Sequence, residues 1–105
     1  MGLDMYLRDN SDETIGYWRK HPNLHGYIVN TFADCVDECQ RIELTIDNVR
    51  DILKVTIEDR LPTTNGFFFG TSQAEHRFET IEIFDRVLQD MQDDESYRVY
   101  YQASW

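Results

Sequence analysis

Two stretches of this chain gather the residue types that hold an anion against a flat ring. The first, Thr14 to Ala33, supplies Tyr17, Trp18, Arg19, Lys20, His21, Asn23 and His25; the second, Arg60 to Ala74, supplies Thr63, Thr64, Gly66, Phe69 and Gly70. Cationic donors beside tyrosine and tryptophan suit a charged group attached to an aromatic system, and a nucleotide has that form. Arg19 and Lys20 would hold phosphate, and Trp18 or Phe69 would stack on the ring. The hydroxyls of Thr63 and Thr64 and the backbone N–H groups near Gly66 would add hydrogen bonds, and Asn23 would read a base edge. Neither stretch contains a carboxylate, although the chain has 20 Asp+Glu in 105 residues. At that frequency about six or seven acids would fall there. The competing reading makes Trp18 and the Phe67 to Phe69 run core, the glycines plain turns, and Arg19 and Lys20 solvated.

Other chemistries fit less well. Gly66 and Gly70 are separated by three phenylalanines with no Lys-Ser or Lys-Thr after them, so they form no P-loop and support no phosphoryl transfer. His21 and His25, and likewise Cys35 and Cys39, have a spacing that can bring zinc ligands onto one helical face. Pro22 starts a helix just after His21, however, and makes that histidine a cap rather than a ligand. Cys39 with His25 is formally a nucleophile and base, yet nothing local supports the pairing. No serine sits in a nucleophile elbow. The expectation is a binding protein, not an enzyme, with no metal and no cofactor.

Ten Lys+Arg against the 20 acids give a formal charge of −10. A field of that sign disfavours direct binding of DNA or RNA unless the basic residues are gathered together. The same excess admits an acidic protein that imitates nucleic acid for a basic partner, presenting Glu75, Glu79, Glu82, Asp85 and Asp90 from one helix. Its ordinary competitor is solubility. The two cysteines, local and few, suit thiols in a reducing cell. No basic-then-apolar leader and no apolar run of about 20 residues is present, so a cytoplasmic protein without a membrane anchor is expected.

These residues must be positioned by a small number of elements. Length predicts one domain, 1–105. Leu3, Met5 and Leu7 alternate with polar residues as a strand, and Asp9 to Glu13 reads as a loop. Helical spacing of Leu24, Tyr27, Ile28, Thr31 and Phe32 behind Pro22 predicts a helix over about 22–33. Ile42, Leu44 and Ile46 alternate as a second strand. Asp47 would cap a helix whose inner face is Val49, Ile52, Leu53, Thr56 and Ile57, and Pro62 ends it by Leu61. A long helix over about 72–92 would bury Phe78, Ile81, Phe84, Leu88 and Met91. Tyr97 to Ala103 alternate as a last strand. The fold class is α+β: a small antiparallel sheet in which the first and last strands pair, with about three helices over a face.

Four blocks carry a resemblance: Met1-Gly2-Leu3-Asp4-Met5-Tyr6-Leu7, Gly16-Tyr17-Trp18-Arg19-Lys20, Leu61-Pro62-Thr63-Thr64 with Gly66-Phe67-Phe68-Phe69-Gly70, and Tyr101-Gln102-Ala103-Ser104-Trp105. In this order, and from first residue to last, the chain resembles a family of small bacteriophage and prophage proteins. Members often carry the label phosphoglycerate kinase, but that enzyme has two domains, several times this length and a nucleotide site missing here. His25 and Cys39 match recurring positions of the family, whereas His21 and Cys35 do not, which weakens zinc further. The resemblance implies a phage accessory protein in the host cytoplasm that blunts bacterial immunity. One route sequesters a cyclic or ADP-ribose-type signalling nucleotide; the other blocks a defence nuclease by direct contact, in the manner of an anti-CRISPR. A homo-oligomer stays open, because pockets with exposed aromatics often lie between subunits.

Overall fold

The computed structural model describes residues 2–64 and 71–105. Seven elements follow in the order β1 (Asp4–Asp9), β2 (Thr14–Arg19), α1 (Pro22–Phe32), β3 (Ile42–Leu44), α2 (Ile46–Ile57), α3 (Ala74–Asp93) and β4 (Val99–Ser104). The strands form one antiparallel sheet in the order β2-β1-β4-β3. Chain start and chain end therefore lie side by side in its centre, with Met5 opposite Ala103 and Leu7 opposite Tyr101. This is the α+β domain that the alternation at both ends predicts.

The strand β2 is an addition. Its residues carry no clean period-two signal, because Gly16 breaks the apolar alternation. It forms by folding back on β1 through a turn that Asp9 organises: the Asp9 carboxylate accepts from Ser11 N at 2.8 Å and Glu13 N at 3.1 Å. Asp12, with φ 61, closes the turn in the left-handed region that Asp tolerates. A register shift between Leu7 and Arg8 leaves Ile15 without a partner across the pair, a β-bulge.

Inward positions of the sheet, Leu3, Met5, Leu7, Trp18, Leu44, Val99, Tyr101 and Ala103, join Leu24 and Ile28 of α1, Val49 and Ile52 of α2, and Phe84 and Val87 of α3 in one core. Trp18 stacks on Phe84 with centroids 5.6 Å apart and gives its indole N–H to Thr80 Oγ1 at 2.9 Å. A Cβ on Gly16 would stand 2.8 Å from Ile83 Cγ2, so glycine is what lets β2 approach α3 there.

Three boundaries differ from the pattern reading. Thr45, not Asp47, caps α2: its hydroxyl accepts from Asn48 N at 3.2 Å while Asn48 Oδ1 accepts from Thr45 N at 3.0 Å, a reciprocal capping box. That cap also ends β3 at Leu44, short of Ile46. On α3 the buried stripe is Thr80, Phe84, Val87 and Met91, and Phe78 is 66% exposed. Ile57 likewise points outward. Both lie off the buried stripe of their helix: at about 100° per residue Phe78 falls nearly opposite Thr80, Phe84, Val87 and Met91, and Ile57 falls outside the face of Val49, Ile52, Val55 and Thr56.

The long helix also guards the sheet edge. Arg86 Nη2 donates to Ile15 O at 2.9 Å and the His76 ring lies 3.1 Å from Arg19 O, so two carbonyls of edge strand β2 are occupied. No helix of the described residues is long and apolar enough to cross a membrane.

Candidate functional site

The two carboxylate-free stretches meet. Asn23 Oδ1 accepts from Thr64 N at 3.0 Å, Ser72 Oγ accepts from Asn23 N at 3.2 Å, and His21 Nδ1 lies 2.7 Å from Ser72 Oγ. Gly26 makes the approach possible, because a Cβ there would overlap the Thr64 side chain. Where they join, a cavity of about 410 Å³ opens between the start of α1, the end of α2 and the start of α3. His21, Asn23, Ser72, Arg77, Asp59 and Phe78 are among its walls, and its size suits a small ligand.

Each wall follows from local structure. Pro22 takes the first position of α1 and leaves His21 at its cap, with no side-chain bond back to the helix. The ring turns inward instead and stacks on His76, with centroids 4.5 Å apart and planes at 18°. His76 Nδ1 accepts from Gln73 N at 2.8 Å, so its proton sits on Nε2 and is donated to Arg19 O. Burial first, and the neighbouring His76 second, lower the pKa of His21 to about 3; the ring is neutral at pH 7. Ser72 Oγ accepts from Asn23 N, and when its own proton goes to His21 Nδ1 the His21 proton sits on Nε2. That nitrogen is buried with no hydrogen-bond partner among the described residues.

Arg77 spans the opposite wall, donating through Nε to Thr56 O at 3.2 Å and through Nη2 to Ile57 O at 2.6 Å. It thereby satisfies carbonyls at the end of α2. The first turn of the 20-residue α3 starts at the cavity with Gln73 and Ala74, and its free N–H groups add positive potential. Asp59, one residue before the second carboxylate-free stretch, puts a single acid in the wall.

The residues expected from sequence are distributed differently. Asn23 lines the cavity and Thr64 is tied to it, while Thr63 is exposed. Trp18 is 1% exposed in the core and is not a plate for a ligand ring; in β2 its even-numbered position faces the helices. Tyr17 and Arg19 lie on the other face of the sheet, where Asp4 takes the Tyr17 hydroxyl at 2.7 Å and lies 3.8 Å from Arg19. Lys20 is exposed, with φ 55, and its N–H goes to Leu3 O at 2.8 Å. Gly66, Phe69 and Gly70 lie outside the described residues. Glu75, Glu79, Glu82, Asp85 and Asp90 are all exposed on α3.

His25 is not at the cavity. It is buried, with Nδ1 2.6 Å from the Tyr101 hydroxyl and Nε2 2.9 Å and 3.0 Å from the two oxygens of Asp37. Asp37 also accepts from Trp105 Nε1 at 3.1 Å, and Gln102 Nε2 donates to Cys39 O at 2.9 Å. This network pins the α1–β3 connection, in which Asp34, Cys35 and Cys39 all have positive φ, against the last strand. Both ring nitrogens of His25 are thus engaged by groups other than the Cys39 thiol. Among the described residues no group of three or more His, Cys, Asp or Glu is placed to hold a metal ion.

Sequence reasoning gathers His21 with the first stretch but reads it as a helix cap and not as a wall of the site, and it misses Ser72, Arg77 and Phe78. The available signal was Pro22, which forces the preceding side chain off the helix, and Ser72, the lone serine of the second stretch. No family model, no curated protein and no solved structure matches this chain.

Proposed function

We propose that the protein is a non-catalytic binder of a small anionic, nucleotide-like ligand, seated in the cavity between His21, Ser72 and Phe78. The observation that carries this is the enclosed Nε2 of His21 beside the start of α3, which has no hydrogen-bond partner among the described residues, because a buried polar atom left unpaired is costly unless something fills it. With Ser72 holding the His21 proton on Nε2, a phosphate or other anion meets that N–H and the first-turn N–H groups of α3. Phe78, exposed at 66% on the wall, offers the stacking surface that Trp18, buried in the core, does not. Asp59 suits ribose hydroxyls or an amino edge, which an all-positive hollow would not select.

The chemistry favours holding over turnover. Ser72 and His21 have the separation of a nucleophile and its base, but a histidine held near pKa 3 is a weak base at pH 7. No carboxylate orients its second nitrogen among the described residues. In the phage setting that the resemblance implies, such binding sequesters an immune signalling nucleotide.

Calorimetry against ADP-ribose, AMP and cyclic dinucleotides tests the reading, with Phe78→Ala and Ser72→Ala as probes. Binding of one of these, weakened about tenfold or more in each variant (~1.4 kcal/mol per tenfold), is expected. Absence of binding at millimolar ligand, or equal affinity in both variants, removes it.

A second reading, the acidic inhibitor of a defence nuclease, is favoured by one observation: Glu75, Glu79, Glu82, Asp85 and Asp90 of α3 are exposed, and none has an ion pair among the described residues. Such a complex would weaken steeply with salt and survive Ser72→Ala.

A further inference from the structure

The bare face of the sheet has a charge opposite to that of the rest of the protein. Core residues occupy one side of every strand; the other side carries Asp4, Tyr6 and Arg8 of β1, Tyr17 and Arg19 of β2, Tyr100 and Gln102 of β4, and Glu43 of β3. Arg41 and Arg98, which enter β3 and β4, join this face: Arg41 lies 3.8 Å from the centre of the Tyr100 ring, and Arg98 lies 3.9 Å from Glu43. The strands of this face and the residues entering them therefore carry four of the 10 Lys+Arg but two of the 20 Asp+Glu, with Glu79, Glu82 and Arg86 of α3 bordering it beside Tyr17 and Arg19 at the β2 edge. The face is locally cationic on a chain of charge −10, and both of its acids are already engaged, Asp4 by Arg19 and Tyr17, Glu43 by Arg98.

The aromatic and cationic groups form a continuous stripe. Tyr17 and Tyr6 are cross-strand neighbours with centroids 5.3 Å apart. Arg8 lies 4.6 Å from the Tyr6 ring and opposite Tyr100 across β1 and β4. Arg41 then covers Tyr100. Phenol rings and planar guanidinium groups thus run from β2 across β1 and β4 to Arg41 at the entry of β3, a width of about 14 Å at the usual strand spacing. Gathered cations of this kind are the condition under which an acidic protein still meets a polyphosphate.

We infer that this face binds single-stranded nucleic acid, with unpaired bases stacking on the tyrosine and guanidinium planes and phosphates meeting the arginines. The rings are what decide against an acidic polypeptide. Carboxylates need only the arginines, whereas bases need flat π-surfaces. A duplex hides its base faces and gains nothing from the tyrosines. The stripe lies away from the His21 cavity, so the inference is independent of the proposed ligand.

Fluorescence anisotropy with labelled ten-residue oligo(U) and oligo(dT) tests it. At 50 mM salt a dissociation constant on the order of 10 µM is expected, with a log–log salt slope of about −2, for roughly three phosphate contacts. A duplex of the same length should bind at least tenfold more weakly. Tyr6→Leu with Tyr100→Leu keeps apolar bulk and removes the rings; Arg8→Lys with Arg41→Lys keeps charge and removes the planes. Each pair should cost tenfold or more with the circular dichroism spectrum unchanged, while Ser72→Ala leaves oligonucleotide binding intact. Preference for oligo(U) would assign RNA, and preference for oligo(dT) DNA. No binding by folded protein, unchanged affinity in the leucine pair, or equal affinity for a polyglutamate peptide would overturn the inference, the last by making the face a protein-docking surface.

Discussion

The phenol of Tyr101 lies 2.6 Å from Nδ1 of His25 in the middle of the core, on a strand and a helix 76 residues apart in sequence. Burial, and then the nearby Asp37, raise the Tyr101 pKa well above its ordinary value, so the phenol keeps its proton and acts as donor. Asp37 fixes the other ring nitrogen, and the pair joins α1 to β4 through polar groups that have no access to water.

Tyr101→Phe removes that donor while keeping the ring, and about 1–3 kcal/mol of stability should be lost. Urea denaturation would read this as a lower midpoint at an unchanged slope. Asp37→Asn should free the α1–β3 connection and raise amide exchange at Cys35 to Cys39 more than elsewhere. Uniform exchange across the chain would show that the network does not act on the loop.

Trp18 is a core residue whose one polar atom is satisfied by Thr80. Thr80→Val should cost about 1–3 kcal/mol by orphaning the indole N–H. Trp18→Ala should cost about 3–5 kcal/mol and compromise folding. Chemical denaturation of both variants checks the order, and a Trp18→Ala protein as stable as the parent would place the indole elsewhere.

Gly26 sits mid-helix, where alanine normally stabilises by about 1 kcal/mol. Here the added methyl would overlap Thr64, so Gly26→Ala should instead destabilise, by about 1–3 kcal/mol. Adding Thr64→Gly should return much of the loss, and the double-mutant cycle measures the coupling. Simple additivity of the two changes would mean that the stretches do not touch.

His21 has a folded-state pKa of about 3 against an ordinary 6.5. The unfolded chain therefore binds a proton at this site between those values while the folded chain does not. Stability contributed by the neutral ring is complete above about pH 6.5 and falls as pH drops toward 3, with a slope of up to about 1.4 kcal/mol per pH unit. Histidine NMR titration should find the His21 ring neutral at pH 5. A His21 midpoint near 6.5 would contradict the enclosed geometry.

Much of the fold could be read from local pattern. Alternation in Leu3-Met5-Leu7 and in Val99-Tyr101-Ala103 marks strands because a sheet with one buried face demands period two. Pro22 and Pro62 mark a helix start and a limit because proline lacks the N–H. The absence of acids from two stretches anticipated that they would be neighbours, since carboxylates are excluded from a packed junction such as His21–Ser72 and Asn23–Thr64. Local pattern could not supply β2, whose partner Met5 lies across a turn from Trp18. Nor could it tell that Trp18 is enclosed while Phe78 is bare, for both are aromatic residues in regular elements, and burial depends on what the rest of the chain places opposite them. The cavity is of the same kind: His21, Arg77 and Asp59 become one site through the packing of three helices, a relation between distant residues that no local spacing encodes.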